Sequence, residues 1–337
     1  VYKRQGGYLW CTLAWAAAPP PLAPQDVFQL RYVSNPIVDS KGERILYLRH
    51  SMDIMKDRRR SNLWMIAPDG GMHRPVTSGP INVSSPALAP DDNRVAYVTR
   101  DDVGSQLFVH WLDTGQSAQL TRLAQAPKNL AWSPDGRWLA FTMLVAEKPP
   151  VMGKLPARPK GAEWADPPVV VDSVTYRNDG KGNRPHGFRH VFVMPADGGS
   201  PRQLTRGNFH HEGGIAWAPG SQQLYFSANR NGDWERNLVD TEIYRVDLAS
   251  GNVHPMTDRA GPDGQVRVSP DGAQLAWLGY DDKGLGYHRS RLYLMSSDGS
   301  HRRELLPELD RDVVNPRWSA DGKQLFFQYD DRGDTLL

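Results

Sequence analysis

One motif of eleven residues recurs six times along this chain of 337 residues. The first three copies are VDSKGERILYL (38–48), LAPDDNRVAYV (88–98) and WSPDGRWLAFT (132–142). The other three copies are WAPGSQQLYFS (217–227), VSPDGAQLAWL (268–278) and WSADGKQLFFQ (318–328). Aligned on the proline column, successive copies lie 50, 44, 85, 51 and 50 residues apart. Repetition at this period indicates an array of similar supersecondary units, which limits the possible folds more than any other feature of the sequence.

The first motif predicts a turn followed by a strand. In its Pro-Asp-Gly centre, proline fixes φ, aspartate caps the turn and glycine accepts the left-handed conformation. A second motif follows the first in five cases and predicts a hairpin, with an apolar strand, a turn of Asp and Gly, and a short strand ending in Leu-Thr. The second motif covers residues 63–77, 107–121, 191–205, 243–257 and 292–306.

Together the two motifs supply four strands in about 45–50 residues, which is the strand count and repeat length of a propeller blade. The sequence therefore predicts an all-β fold, a β-propeller of four-stranded blades. Five blades are complete, the sixth has only its first two strands, and the ring is incomplete. Solenoid repeats are shorter or helical, and a two-sheet sandwich does not require six spaced turn motifs. The predicted blades cover residues 30–79, 80–123, 127–207, 210–258 and 262–306, with the sixth beginning near 312.

The N-terminal segment lies outside the repeats. Lys3 and Arg4 precede the apolar stretch YLWCTLAWAAA (8–18), and a Pro-rich linker follows it. Eleven apolar residues are too few for a membrane span, which takes about 20, but they are typical of a secretory signal. A disordered leader is the alternative. We assign residues 1–23 to a signal-peptide-like leader with its linker and residues 24–337 to the propeller, which opens with a short helix over 24–31.

The gap of 85 residues marks an insertion in blade three, over about residues 143–187. It contains the Pro- and Arg-rich segment EKPPVMGKLPARPKG and then WADPPVVVDSVTYRNDGKGNRPHGF. An insertion of this length in a compact repeat is usually functional or flexible.

Composition excludes several classes of function. The formal net charge is only +2, so no excess of charge favours binding to nucleic acid or to anionic lipid. The chain has one cysteine, Cys11, which excludes both a disulfide framework and a cysteine-based metal site. We predict no cofactor and no metal.

Two polar clusters are candidate sites with simpler explanations. His210, His211 and Glu212 begin blade four, but neighbouring residues on a strand point to opposite faces, which favours surface or turn histidines over a metal site. The basic run KDRRR (56–60) favours a solvated loop, with a contact to another domain or partner as the alternative. Phosphate binding would require interleaved aromatic residues or a Gly-rich loop, and neither is present.

Two further sets recur at fixed blade positions. The acidic pairs at 101–102, 281–282 and 330–331 follow the second strand of their blades, which favours a role in loop formation over acid–base catalysis. Three tryptophans occupy one column of the first motif, which favours packing between blades over stacking on a ligand. These are Trp132, Trp217 and Trp318.

Two stretches of the chain, at the opening of the propeller and around the blade-three insertion, carry a resemblance to a known family. The first resemblance lies in PLAPQDVFQLRYVSNPIVDSKGERILYLRHSMD followed by NLWMIAPDGG. The second lies in TYRNDGKG and RHVFVMPADGGSPRQLT, followed by LYFSANRNGDWERNLVDTEIYRVDLASG. Both stretches resemble S9-type serine peptidases of the prolyl oligopeptidase superfamily, in the acylaminoacyl-peptidase and dipeptidyl-peptidase branch. The resemblance covers nearly the whole chain from about residue 21. The SPDG and DGG motifs alone are not specific, because TolB-like propellers share them.

The resemblance implies a propeller followed by an α/β-hydrolase domain with a Ser/Asp/His triad. No G-x-S-x-G nucleophile motif occurs in this sequence, so no catalytic residue is assigned here. The implied partners are a short peptide substrate and the chain's own C-terminal hydrolase domain, whose active site the propeller covers. Candidate substrate-gating residues lie in or after the insertion, where arginines suit peptide carboxylates or carbonyls. They are Arg177, Arg184, His186 and Arg189.

Two other functions remain open at the level of the sequence. A TolB-like propeller would bind a protein partner without any attached enzyme, and a propeller fused to another hydrolase, such as an amidohydrolase, would serve a different substrate. The leader favours export to the periplasm or secretion, with a cytoplasmic location as the alternative.

Overall fold

The computed structural model describes residues 21–151, 153, 156–165 and 168–337. The apolar leader stretch over 8–18 lies outside the described residues. Within them the one helix is a 3₁₀ helix, Pro24–Gln29, where the Ala23 N–H donates to the Asp26 carboxylate over 2.8 Å. The helix predicted over 24–31 is shorter because Leu30 already has extended backbone angles. No described helix is long and apolar enough to cross a bilayer.

The strands form separate antiparallel sheets, each from one stretch of the sequence. Blade one contains β1 (Tyr32–Val38), β2 (Ile45–Asp53), β3 (Arg58–Ile66) and β4 (Arg74–Pro75). Blade two contains β5 (Ser84–Leu88), β6 (Arg94–Arg100), β7 (Ser105–Trp111) and β8 (Ser117–Gln119). Blade three contains β9 (Lys128–Trp132) and β10 (Trp138–Ala146), then the hairpin β11 (Arg177–Asn178) and β12 (Gly182–Asn183), then β13 (Gly187–Pro195) and β14 (Arg202–Gln203).

The remaining blades follow the same order. Blade four contains β15 (Ala216–Trp217), β16 (Gln223–Ala228), β17 (Glu242–Asp247) and β18 (Val253–Pro255). Blade five contains β19 (Asp263–Val268), β20 (Gln274–Gly279), β21 (Arg291–Ser296) and β22 (Arg303–Leu305). Blade six contains β23 (Val314–Trp318), β24 (Leu325–Asp331) and β25 (Asp334–Leu336).

These sheets confirm the all-β propeller of four-stranded blades and give it six blades. Blades one to five each have four strands in the described residues, and blade six has three. The prediction of only two strands in blade six was wrong. A tight turn after Asp331 lets β25 pair with β24, with Tyr329 opposite Leu336, and the second hairpin motif gives no signal for this turn.

Neighbouring blades are joined mainly by side chains of the inner strands. The tryptophan of the first motif donates its indole N–H to an inner-strand carbonyl of the blade before it. Trp132 donates to Ala87 over 2.9 Å, and Trp217 donates to Ala131 over 3.1 Å. Trp318 repeats the contact with the carbonyl of Arg267, also over 3.1 Å. The tryptophan column therefore packs between blades, as the sequence predicted.

The Pro-Asp-Gly turns have the predicted geometry. Gly136 has a φ of 68°, in the left-handed region, and the Asp135 carboxylate accepts the Arg137 N–H over 3.1 Å. In two copies a different residue takes the glycine position with a positive φ. These are Asp92 (56°) in blade two and Ser221 (56°) in blade four. Asp92 accepts the Ser40 N–H, and Ser221 accepts the Asp135 N–H, so both side chains reach the turn of the preceding blade.

The threonine that closes the second motif caps the third strand. In four blades the Thr hydroxyl accepts the backbone N–H of the residue 14 positions earlier, at 2.9–3.0 Å. In these four blades the residue that precedes the capped N–H is polar. Its side chain lies within hydrogen-bond distance of the same threonine hydroxyl in at least three of them. The four threonines are Thr77, Thr121, Thr205 and Thr257.

Replacing Thr205 with valine tests this cap. Thr205 is fully buried and its hydroxyl is the acceptor for the Val191 N–H, so Thr205→Val leaves a buried donor without a partner. We expect the free energy of unfolding to fall by about 1–3 kcal/mol, measured by denaturant titration. Thr114→Val, in an exposed hairpin turn, is the control and should change it by less than about 0.5 kcal/mol. Equal effects at both positions would contradict the cap.

Candidate functional site

The links between the second and third strands of every blade lie on one face of the propeller. Each blade is an antiparallel meander, so this link is at the end opposite the Pro-Asp-Gly turn. The blade-three insertion, the basic run over 56–60 and the acidic loops after β6 and β20 therefore share this face. We call it the insertion face. The solvated loop predicted for the basic run was wrong for residues 58–60, which begin β3 and pair with the end of β2.

The insertion is shorter than predicted. The sequence placed its start at 143, but β10 continues to Ala146 and pairs there with Gly187, the first residue of β13. Residues 143–146 therefore belong to the sheet, and the insertion covers 147–186. The apolar alternation of β10 continues past the repeat motif, which is why the motif alone misplaced the boundary.

Gly187 fixes the point where the insertion returns to the sheet. Its φ is 116°, and a Cβ atom there would lie 2.1 Å from the Val145 carbonyl oxygen. The strand can enter the sheet at this angle only with glycine.

Gly187→Ala tests the base of the insertion. Gly182 in the β11–β12 hairpin also has a positive φ, 80°, but no atom lies within 4 Å of the point that its Cβ atom would occupy. Both substitutions carry backbone strain, and only Gly187→Ala adds a backbone clash. We expect Gly187→Ala to lower the free energy of unfolding by at least about 2 kcal/mol more than Gly182→Ala. Comparable losses in calorimetric melts would show that the clash relaxes freely.

A cavity of about 180 Å³ lies between the insertion and blade four. Asp172 and His186 line it from the insertion, and Phe188, His210 and Trp234 line it from the sheet side. The ring of His210 lies 5.3 Å from that of Phe188 and 5.4 Å from that of Trp234, so the imidazole is held between two aromatic rings. His186 Nδ1 lies 3.8 Å from the Asp172 carboxylate.

Two of the predicted arginines converge on Glu212 beside this cavity. An Arg184 nitrogen lies 3.7 Å from one Glu212 oxygen, and Arg189 Nε lies 3.8 Å from the other. Arg184 also donates to Thr175 Oγ1 over 3.1 Å. One terminal nitrogen of Arg189 is buried and has no hydrogen-bond partner among the described residues. The pair is therefore positioned to donate further hydrogen bonds while its charge is partly balanced.

The four predicted gating residues do not form one cluster. Arg184 and Arg189 meet at Glu212, and His186 lies in the adjoining cavity next to Asp172. Arg177 is exposed on β11, outside the residues that line the cavity. Their role as substrate-gating residues stays a prediction.

The sequence favoured surface or turn positions for the two histidines that begin blade four. This expectation was wrong for His211. Its side chain is fully buried, and its ring lies 5.1 Å from that of His190. His210 turns the other way, toward Phe188, as alternation predicts. The Arg189 carbonyl accepts the His211 backbone N–H over 2.8 Å, which places this segment against β13 although it lies outside any strand.

Burial keeps both core histidines neutral. Desolvation, with a smaller effect of the nearby His190, lowers the pKa of His211 to about 3. Desolvation also lowers the pKa of His190 to about 4, and His210 adds to this effect. Both values lie below the ordinary histidine value of about 6.5. The neutral rings therefore stabilise the fold above pH 6.5, and this contribution is lost as the pH falls toward 4 and 3.

We expect a steep loss of stability with acid below pH 6.5. Between pH 6 and 4.5 each core histidine should contribute a slope of up to about 1.4 kcal/mol per pH unit. His211→Gln should remove the share of one histidine, which urea titrations across this range would measure. His254→Gln, at an exposed ring, controls for the loss of an imidazole outside the core. An unchanged slope in His211→Gln would refute the assignment.

Blade four contains a further buried titratable group that the sequence analysis missed. Glu242 is buried, and one of its carboxylate oxygens has no partner among the described residues. Desolvation, together with the nearby Asp263 carboxyl, raises the pKa of Glu242 to about 7. A polar residue directly before the second motif, within the third strand, also occurs as Asn62, Gln106 and His190, and this repeated position was the available signal.

The acidic pairs after β6 and β20 lie in loops, whereas the pair at 330–331, for which a loop role was also predicted, lies at the end of β24. Asp101 accepts the backbone N–H groups of Val103 and Gly104 over 2.9 and 2.8 Å, and Asp282 accepts that of Gly284 over 2.9 Å. These are the contacts expected of loop-forming residues. In the described part of the chain, no group of three or more His, Cys, Asp or Glu side chains is arranged to hold a metal ion.

One part of this chain is similar to a known family of peptidase domains. Residues 175–285, which include the Arg184, Arg189 and Glu212 cluster, match the family model of the dipeptidyl peptidase IV (DPP IV) N-terminal region. The resemblance to S9-type peptidase propellers is confirmed. The matched segment runs from just before the β11–β12 hairpin into blade five.

Two curated relatives carry peptidase names. The chain is 26% identical to the uncharacterized peptidase YuxL of Bacillus subtilis over 205 residues, which is 60% of this chain and 30% of the relative. It is 22% identical to dipeptidyl-peptidase 5 of Porphyromonas gingivalis over 332 residues, which is 94% of this chain and 47% of the relative. The chain thus spans less than half the length of these two relatives.

Solved structures share the fold. The Pyrococcus horikoshii acylaminoacyl peptidase superposes with a TM-score of 0.69 at 15% identity, over 91% of this chain and 44% of that one. A TolB protein from Agrobacterium tumefaciens superposes with a TM-score of 0.54 at 19% identity, over 89% of this chain and 91% of that one. At these identities the likeness shows the fold alone.

Proposed function

We propose that this chain is the propeller of an S9-type serine peptidase and that it covers the active site of a hydrolase domain outside these 337 residues. The observation that carries this proposal is the match of the DPP IV N-terminal region to the segment that builds the Arg184, Arg189 and Glu212 cluster. The peptidase names of the relatives support the same assignment.

In this proposal the insertion face lies toward the hydrolase and selects substrates by size. A peptide must pass the ring, so short or unfolded peptides reach the active site and folded proteins do not. Arg184 and Arg189 suit a peptide carbonyl better than a free carboxylate, because Glu212 already balances part of their charge. The buried, unpartnered nitrogen of Arg189 is available for such a bond.

Further strands complete the ring in this proposal. Apolar side chains are exposed on the free sides of blades one and six, including Val33, Val38, Phe326 and Leu336. No contact comparable to those between successive blades joins blade six to blade one in the described residues. A blade packed between them would bury these side chains and pair the strand edges. Export to the periplasm or beyond, which the leader suggests, belongs to the same proposal.

The full-length protein should cleave short blocked peptides and spare folded proteins that contain the same sequence. Replacing the serine of a G-x-S-x-G motif in the hydrolase domain with alanine should abolish cleavage. Arg184→Gln and Arg189→Gln should each raise KM about tenfold or more, since each removes a charged hydrogen bond. Arg137→Gln, at the opposite face and largely exposed, is the matched control.

Two results would contradict the proposal. Cleavage that persists in the serine variant would assign the activity to another enzyme. Equal cleavage of folded and unfolded substrates would contradict selection by size.

A TolB-like binding module is the second candidate, because the Agrobacterium TolB has the same fold across nearly its whole length. A full-length protein without a hydrolase domain, which captures a protein partner through the insertion face, would favour it.

A further inference from the structure

The basic run over 56–60 in blade one borders an open cavity of about 770 Å³, which lies between blades one and two on the insertion face. Its walls come from the starts of β1, β3 and β5 and from the ends of β2 and β6. Three arginines line it, Arg58, Arg59 and Arg100, and no Asp or Glu does. No carboxylate lies within the 4 Å limit of an ion pair from any of the three in the described part of the chain.

This charge distribution differs from that of the other cavities. The cavity beside the insertion contains Glu147, Asp172 and Glu235 along with Arg184, and the cleft at blade five contains Asp263, Asp281 and Glu304 along with its arginines. Three uncompensated guanidinium groups in one cavity raise the local positive potential, which attracts an anion. The low net charge of the chain makes this local excess distinct from its average surface.

The walls are built to hold a polar ligand. Arg59 donates to the Tyr32 hydroxyl over 3.0 Å, and the Tyr32 ring stacks on His50 at 4.4 Å, which orders this side of the cavity. His50 and Thr99 both line the cavity, and each has a buried side-chain atom, His50 Nδ1 and Thr99 Oγ1, without a hydrogen-bond partner in the described residues. Five serines also line the cavity. The hydroxyls of Ser34, Ser61 and Ser84 already donate to the Asn35 side chain and to the carbonyls of Val83 and Val98. The other two are Ser85 and Ser105.

We infer that this cavity binds a carboxylate group of the peptide substrate, either an acidic side chain or a free C-terminus. Planar guanidinium groups bind carboxylates through paired hydrogen bonds, and in this inference the Ser85 and Ser105 hydroxyls add further donors. The identity of the ligand as a peptide rests on the proposed function. The cavity shares the insertion face with Arg184 and Arg189, so a peptide bound there stays on the side of the ring where we place the hydrolase.

Isothermal titration calorimetry on the full-length protein tests the inference. The probes are Ac-Ala-Ala-Asp-NH₂ against Ac-Ala-Ala-Asn-NH₂ for a side-chain carboxylate, and Ac-Ala-Ala-Ala-OH against its amide for a terminal one. We expect at least one acidic probe to bind about tenfold or more tightly than its neutral partner. Arg59→Gln and Arg100→Gln should each weaken that binding about tenfold, and Arg137→Gln should leave it unchanged.

The variants separate loss of binding from loss of folding. Arg100→Gln leaves the Tyr32 and His50 stack intact, so its thermal melt should match that of the unmodified protein. Equal binding of acidic and neutral probes would overturn the inference, as would full binding by Arg59→Gln and Arg100→Gln. Tight binding of inorganic phosphate without binding of either acidic peptide would also overturn it.

Cleavage of a neutral blocked peptide, measured in parallel, distinguishes this inference from the proposed function. A protein that cleaves the neutral peptide but binds no acidic probe keeps the peptidase assignment and loses the carboxylate site. A protein that binds the acidic probe through Arg59 and Arg100 but cleaves nothing keeps the carboxylate site and loses the peptidase assignment.

Discussion

The structure depends on contacts between sheets that share no backbone ladder with one another. A lone four-stranded sheet leaves both of its faces in water, so each blade depends on its neighbours to bury its apolar side chains. The indole N–H of Trp132 shows how the chain meets this constraint: it packs as a large apolar group and still satisfies a carbonyl of the preceding blade. The contact therefore joins burial and hydrogen bonding at one inter-blade position, and the same contact recurs at Trp217 and Trp318.

The sequence predicted the features that repeat and missed those that do not. The Pro-Asp-Gly turns, the tryptophan contacts and the blade order all follow from local chemistry copied several times. The strand β25 arises from a single turn after Asp331, so no second copy exposes it. The burial of His211 depends on β13 and on His190, which lie about 20 residues away, and a pair of adjacent histidines gives no sign of such a long-range contact.

The candidate site was predicted in part for the same reason. The insertion stood out as a break in the period, and its arginines stood out by residue type, but only the fold decides which charges meet. Glu212 balances Arg184 and Arg189, whereas Arg58 and Arg59, for which the sequence favours a solvated loop, line a cavity without a carboxylate. Counting charged residues along the sequence does not distinguish these two sets of arginines, because charge balance depends on which residues are neighbours in space.

Asp92 and Ser221 stand where the repeat pattern has glycine, and each side chain reaches the turn of the blade before it. Averaging the six copies into one idealised blade would restore glycine at both positions and relax the backbone there. It would also delete two links along the rim, between blades one and two and between blades three and four. In this propeller, departures from the common motif carry part of the cohesion of the ring, so a perfectly regular version would hold its blades together less firmly.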